Sequence, residues 1–374
     1  MDCGVPNKLR PFAGVVLSGI MSALAAVAQD RPGSVVKAVV KPVVQVVAEA
    51  QGPKSDPTSR AGLKAAIDAG HVWLKKHQEK DGHFSASMFL VHDPRGKACD
   101  GPGKPDQDVF VTALVSKAWR GMGWRPDAGR THDYQCRAME WLETQVQEDG
   151  ALGLPGSRTL VRDTAIASSS LHRSERLMAG LGSEFDSGLA AKWLLAQRLP
   201  SGFWQAGAKA QGERGADWLT TFMAARFLAE VDASSIDWAS LKGFVELQSD
   251  VMPGAAYGGG AHLAAWYIRH VGKRTEYCKK SLLELPAKHA RADKVDYYSW
   301  FGTTQAMQFE HVDDWQAWWH ALTTTAVSMQ RTDGSFAGSW DPLDVRGRDG
   351  GRIYATATML LALEVIWRKQ YRDR

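Results

Sequence analysis

Residues 329–340 read Met-Gln-Arg-Thr-Asp-Gly-Ser-Phe-Ala-Gly-Ser-Trp, MQRTDGSFAGSW. The stretch closes a helical run and passes through Asp-Gly into a loop that ends on an aromatic. Nearly the same phrase stands near the start of the chain, HQEKDGHF at 77–84, with variants at 141–153 (WLETQVQEDGALG), 193–204 (WLLAQRLPSGFW) and 244–260 (FVELQSDVMPGAAYGGG). The glutamines Gln78, Gln145, Gln197, Gln248 and Gln330 mark a unit of roughly fifty residues, within the range of repeat architectures. A degenerate unit around 278–290 fits the one long gap.

Between the phrases lie helices of a second kind, more apolar all round: VFVTALVSKAW (109–119), TAIASSSLHRSERLMA (164–179), DWLTTFMAARFLAEV (217–231), AHLAAWYIRHV (261–271), YYSWFGTTQAMQF (297–309) and RIYATATMLLALEVIW (352–367). Each unit is therefore an amphipathic helix, a glycine turn, a variable loop and a buried helix. Alternation of the two kinds predicts two concentric layers, and six pairs closing on themselves make an all-α (α/α)6 toroid. An open solenoid is the competitor, but its ends need polar capping units; the last helix is among the most apolar, which favours closure. Within the phrase, Gly82, Gly150, Gly202 and Gly334 are expected to end helices in the left-handed conformation. The glutamine amides would serve free backbone groups, and Phe84, Phe203/Trp204 and Phe336/Trp340 would pack on the neighbouring unit. The phrase reads as a staple.

The 374 residues are 44% hydrophobic and 23% charged, the balance of a soluble globular chain. A net charge of +4 without a long Lys/Arg block gives no support to nucleic-acid binding. Lys8 and Arg10 precede an apolar run, Pro11 to Ala28, that ends in Ala26-Val27-Ala28, a small-x-small cleavage site before Gln29. Residues 1–28 read as a signal peptide and the mature protein as secreted or periplasmic; an uncleaved anchor is the alternative. Residues 29–60, broken by Pro32, Pro42, Pro53 and Pro57, read as a flexible linker, and 61–374 as the toroid. No later run is apolar enough to span a bilayer, although membrane contact stays open. Cys99, Cys136 and Cys278 would remain after cleavage, too few and too widely spaced for a disulfide framework or zinc site. Buried free thiols are expected, with one disulfide the alternative.

QEKDGHF, QRLPSGFW and QRTDGSFAGSW resemble the Gln-Trp repeats of squalene cyclases and the matching repeats of protein prenyltransferase β subunits, as does the terminal GGRIYATATMLLALEVIWR. The resemblance covers about residues 61–370 and implies a terpenoid cyclase/prenyltransferase toroid, here a single-toroid secreted member of bacterial type. It does not carry over the chemistry. Cyclases protonate an alkene with the middle Asp of an Asp-x-Asp-Asp that precedes Thr-Ala. The matching stretch is Leu160-Val161-Arg162-Asp163-Thr164-Ala165, with Arg162 in the donor's place, and a guanidinium is far too weak an acid for that task. Prenyltransferase zinc ligands would fall at Asp296, Tyr298 and Ala355, of which only the first is a ligand type. The thioester motif of complement-like toroids is absent, and neither a metal nor a cofactor is implied.

What survives is a set of polar residues at the starts of the inner helices. Asp108, Asp163, Asp217 and Asp296 stand there with Arg162, His262 and Arg352. In a toroid of parallel inner helices these ends gather at one mouth of the cavity. Asp at such places caps helices; a ring of carboxylates could also do acid–base work, which makes Asp108, Asp163 and Asp296 the catalytic candidates. Tyr297, Tyr298, Trp300 and Tyr354 would line the cavity or fill the core. The loop 91–108 holds His92, Asp93, Cys99 and Asp100 in no recognised metal spacing, and AAYGGGAH (255–262) reads as a turn. The leading expectation is a toroid that binds an apolar, isoprenoid-like ligand or a protein partner. The alternative is a divergent terpene cyclase or isomerase, or a polysaccharide-active enzyme, using the Asp residues at the mouth.

Overall fold

A computed structural model describes residues 56–121, 130–177, 185–212, 215–237, 239–241, 290–308 and 312–372, all within one unit, Pro53–Arg374. The signal region, residues 29–55, the phrase at 244–260, His262 and Cys278 lie outside the described residues. The α-helices are α1 (Arg60–Lys76), α2 (Asp108–Gly121), α3 (Arg130–Thr144), α4 (Leu160–Leu177), α5 (Ser187–Ala196), α6 (Trp218–Val231), α7 (Tyr297–Met307), α8 (Val312–Met329) and α9 (Gly347–Trp367).

Sequence character decides which layer each helix joins. Helix α1 starts on a Ser59 cap that accepts from the Gly62 N–H and ends on Lys75 and Lys76; it buries one face, through Leu63, Ile67, Trp73 and Leu74. Helix α2 buries an unbroken run from Val109 to Ser116, and α9 buries every residue from Gly350 to Ile366. The first kind forms the outer layer and the second the inner one. The inner helices pack in the order α7, α9, α2, α4, α6, while α1 lies against α8 and α9, α3 against α2 and α4, and α5 against α4 and α6. The last helix of the chain therefore rests on the first inner helix, so the layers close rather than running on as a solenoid. A buried pair across this seam, His71 Nε2 on α1 and Glu364 Oε1 on α9 at 2.9 Å, ties the two ends together.

The opening phrase acts at the same seam. Gln330 Nε2 donates to Gly338 O (2.9 Å) and to Ala66 O in α1 (2.8 Å). Gln78 repeats the arrangement one unit on, donating to Gly82 O (2.7 Å) and to Tyr134 O in α3 (2.8 Å). In the intervening phrases the residues differ from expectation. Gln147, not Gln145, reaches the turn, donating to Gly153 O, and Arg198 Nε, rather than Gln197, donates to Gly202 O. Gln197 instead accepts from the Lys209 N–H. The aromatics finish the staple. Trp204 Nε1 donates to Leu194 O and Trp340 Nε1 to Ala326 O, capping carbonyls near the ends of α5 and α8.

A further latch joins each loop to its inner helix. The backbone N–H of Phe84, Leu152, Trp204 and Trp340 donates to the hydroxyl of Thr112, Thr164, Thr221 and Thr356 respectively, at 2.9, 2.9, 3.1 and 3.2 Å. Thr112, Thr164 and Thr221 sit just inside the amino-terminal ends of α2, α4 and α6, and Thr356 sits five residues past Gly351, where a non-helical kink interrupts α9, so these four helices are fastened alike to the loops before them.

The glycine that matters at the seam is Gly338 rather than Gly334. Gly338 has φ +99°, and a Cβ there would lie 2.3 Å from Ala69 O; Gly82 has φ +102° and would meet Arg137 O at 2.2 Å. Both facts demand glycine, because the obstacle is the backbone of the next outer helix. Gly338→Ala should lower stability by about 3 kcal/mol or more. The control Gly212→Ala, at φ +96° with open space around it, should cost only about 1–2 kcal/mol. Urea midpoints of the two variants check the difference; equal losses would mean that close approach plays no part.

Candidate functional site

Most of the polar groups at the described starts of the inner helices are spent on nearby protein groups. Asp217 caps α6 through the Thr220 N–H (2.7 Å), and Asp296 caps α7 through the Ser299 N–H (2.9 Å). Asp108 accepts from the Ala86 N–H (2.8 Å). Asp163 lies in the first turn of α4, fully buried, between Thr159 (2.8 Å) and Arg162 (2.7 Å). Burial raises the carboxyls of Asp108 and Asp163 above the ordinary range. Arg162 also donates to Gln107 Oε1, and its guanidinium carbon stands 4.0 Å from the centre of the Phe110 ring. Phe110 stacks on Tyr354, which joins α2, α4 and α9 at this end.

Other candidates are placed differently. Arg352 is buried and binds Asp341, Ser339, Asp100 and the Asp100 carbonyl, so it fastens the 99–103 loop to α9. Tyr297 donates to Asp341 O (2.6 Å), and Trp300 packs edge-on against it in the core. Two groups that sequence reading missed complete the mouth. Asp344 accepts from the N–H groups of Tyr297 and Gly347 and from the Tyr354 hydroxyl; burial pushes its carboxyl up to about 6. Arg346 stands over Tyr298 at 5.6 Å and 3.9 Å from Asp296.

The open space lies beyond Tyr298, toward the other ends of the inner helices. A cavity of about 310 Å³ is walled by Leu114, Ile166, Phe222, Met223, Tyr298 and Phe301, at the small end of ligand pockets. Five cations also line it: Lys117, Arg120, Arg173, Arg226 and Arg368. Glu230 answers Arg173 (2.5 Å) and Arg226 (3.2 Å). Burial alone would raise the Glu230 carboxyl, but the two guanidiniums outweigh it and hold it down at about 2. A signal for this group exists in the sequence. Lys117 and Arg226 each stand five residues after a latched threonine, Thr112 and Thr221, on otherwise apolar helices.

A second polar cluster sits outside the cavity. His77 Nε2, Asp93 and Cys99 Sγ bring donor atoms within 4.8 Å of one another. Each already has protein partners: His77 Nδ1 bonds Trp73 O (2.7 Å), Asp93 accepts from the Cys99 N–H and Lys76, and the Cys99 thiol donates to Ser335 O (3.0 Å). Burial pushes the thiol up to about 12, so it stays protonated. The cluster clamps loop 93–99 onto α1 and the 334–336 turn. Cys99 is a buried free thiol, and Cys136 is only half-buried.

Solved structures with the same architecture give the fold its place. The type II terpene cyclase MstE from Scytonema superposes with a TM-score of 0.57 at 16% identity, covering 82% of this chain and 98% of its own. A variant of MstE in complex with its substrate, geranylgeranyl dihydroxybenzoate, gives 0.57 at 14%, with 83% and 99% covered. The fold is that of the type II terpene cyclases. A protein from Actinoplanes shares it as well, at a TM-score of 0.53 and 15% identity over 82% of this chain and 99% of that one. No protein-family model matches the chain, and no curated protein matches it in sequence. Among the described residues no helix is long and apolar enough to cross a membrane.

The loop clamp gives a signed pH test. Burial would raise the Asp93 carboxyl, but the Cys99 N–H and Lys76 outweigh it and hold it well below the usual carboxylate range. A depressed carboxyl stabilises the fold above its unfolded value, near 3.8, and that stability is lost as pH falls through the folded value. Asp93→Asn should therefore lower Tm at pH 7, and the gap from the parent should narrow below about pH 4. A gap independent of pH would remove the charge from the account.

Proposed function

We propose that this is an exported toroid protein that binds an isoprenoid-like apolar ligand in the cavity beyond Tyr298, without the alkene-protonating chemistry of type II cyclases. The observation that carries the reading is Arg162. It fills the position where the resemblance puts the proton donor, and Asp163, Gln107 and the Phe110 face hold it there. A guanidinium so held keeps its proton, and it turns the neighbouring carboxylate into a partner rather than an acid. The cavity walls support an apolar ligand: Phe222, Tyr298 and Phe301 offer aromatic faces beside Leu114 and Ile166. The substrate of the MstE variant, an isoprenoid chain on an aromatic acid, is a ligand of the same general kind.

A second reading, a divergent cyclase or isomerase, is favoured by one observation. Asp108, Asp163 and Asp344 are carboxyls raised by burial at one mouth of the toroid, which is how a fold keeps an acid protonated near neutral pH. The experiment that separates the two is mass spectrometry of molecules released by denaturing extraction from the mature chain, followed by incubation with squalene or geranylgeranyl dihydroxybenzoate. A long apolar molecule in the extract and unchanged substrates are expected. Cyclised product would overturn the binding-only reading and direct mutagenesis to Asp108, Asp163 and Asp296. Export is tested separately by the intact mass of the protein expressed from the full 374-residue sequence, which is expected to show an amino terminus at Gln29.

A further inference from the structure

The cations of the cavity are not all explained by the fold. Inner helices end there, and carbonyl-rich helix ends attract positive charge. Two of the five serve the helices themselves: Arg120 donates to Ser170 O within α4, and Arg368 donates to Gly121 O at the end of α2. The remaining three are Lys117, Arg173 and Arg226. Glu230 is shared between the two arginines, a single negative charge between two positive ones. Lys117 makes no hydrogen bond or ion pair among the described residues, although it lines the same wall. Burial, then the nearby Arg226, lowers its ammonium well below the ordinary lysine range. Arg226 is lowered for the same reasons, burial first and Arg173 next.

Packing like charges into a largely apolar space costs stability, because each loses water and repels its neighbours. Nothing in the architecture requires it. Leucine or methionine at 117 would suit the inner layer that surrounds it, where Leu114, Ala118 and Trp119 are buried. Among the described residues Glu230 alone answers Lys117, Arg173 and Arg226, and the arrangement makes sense if a further negative charge arrives with a ligand. Along α2, α4 and α6 the apolar lining residues Leu114, Ile166 and Phe222 come first, and Lys117, Arg173 and Arg226 follow one or two turns nearer the carboxyl-terminal ends, so the complementary molecule has an acidic head and an apolar body.

We infer that the cavity is selective for an anionic amphiphile, its carboxylate or phosphate head held by Lys117, Arg173 and Arg226 and its apolar chain lying along Phe222, Tyr298 and Phe301. This rests on the apolar-ligand reading above and adds the chemical class of the ligand's other end. Glu230 positions the two arginines so that their free edges share the head with Lys117. The surplus of positive charge would be lowest in the bound state, so occupancy would also relieve the strain on Lys117.

Calorimetric titration of the full mature chain with three ligands of one chain length tests this: farnesol, farnesoic acid and farnesyl diphosphate. At least one acid is expected to bind about tenfold or more tightly than the alcohol, with the advantage shrinking as salt rises from low to physiological ionic strength. Whichever acid leads identifies the head as carboxylate or phosphate. In Lys117→Met the acids are expected to fall to within about threefold of farnesol. Because that substitution removes a desolvated charge, the unliganded variant is expected to melt no lower than the parent. If farnesol binds as well as both acids, the head-group inference is wrong and the apolar-ligand reading stands. If none of the three binds, both fall together. A Lys117→Met protein that melts lower yet keeps its preference for acids would assign Lys117 to the fold instead.

Discussion

One side-chain amide joins the end of this chain to its beginning. Gln330 Nε2 holds its own turn at Gly338 and, with its second hydrogen, the Ala66 carbonyl in the first outer helix. The bond can form only because Gly338 lets the turn come against the backbone of α1. Once that contact is made, α9 lies on α2, His71 meets Glu364, and the inner helices surround a common axis. Each such hydrogen bond contributes only about 1 kcal/mol. Their effect is positional: they fix the angle at which successive pairs meet, and the apolar burial of the inner layer then follows.

The two ends of the inner helices have been put to different uses. At the amino-terminal end most of the polar groups described are committed. Threonine hydroxyls hold the loops, Asp217 and Asp296 cap helices, and Arg162, Asp163 and Gln107 satisfy one another above Phe110. The carboxyl-terminal end leaves space and an excess of positive charge around it. Such a division suits the proposed role, in which one end sets the frame and the other receives the ligand.

Much of the fold was legible because the phrase and the apolar helices alternate strictly, and each signal has one physical reading. The details slipped where chemistry can be supplied by more than one side chain. Arg198 replaces a glutamine because any long donor reaches the turn carbonyl, and Gln147 was hidden because two glutamines lie close together in that phrase. The helix starts were found from their aspartates, but single residues could not reveal that Arg352 serves a loop or that Asp344, three residues before Gly347, completes the mouth. The cavity cations escaped attention for a different reason. Lys117 and Arg226 read as isolated charges in apolar helices, and only the ring brings α2 and α6 to the same space. Periodicity reports which face of a helix is buried, not which faces meet across an axis.

The seam also sets an order of events for the chain as it folds. Gln330 and Ala66 are 264 residues apart in sequence, whereas each latch between a loop and its own inner helix spans a few tens of residues at most. Loop-closure entropy favours the short contacts. Helix pairs therefore assemble locally first, and the ring shuts last, when the final phrase finds the first helix. Until then the inner layer is an open arc with its apolar side uncovered. The protein's most vulnerable interval is this late one, and its duration is governed by how quickly two distant ends meet rather than by how well any single pair is packed.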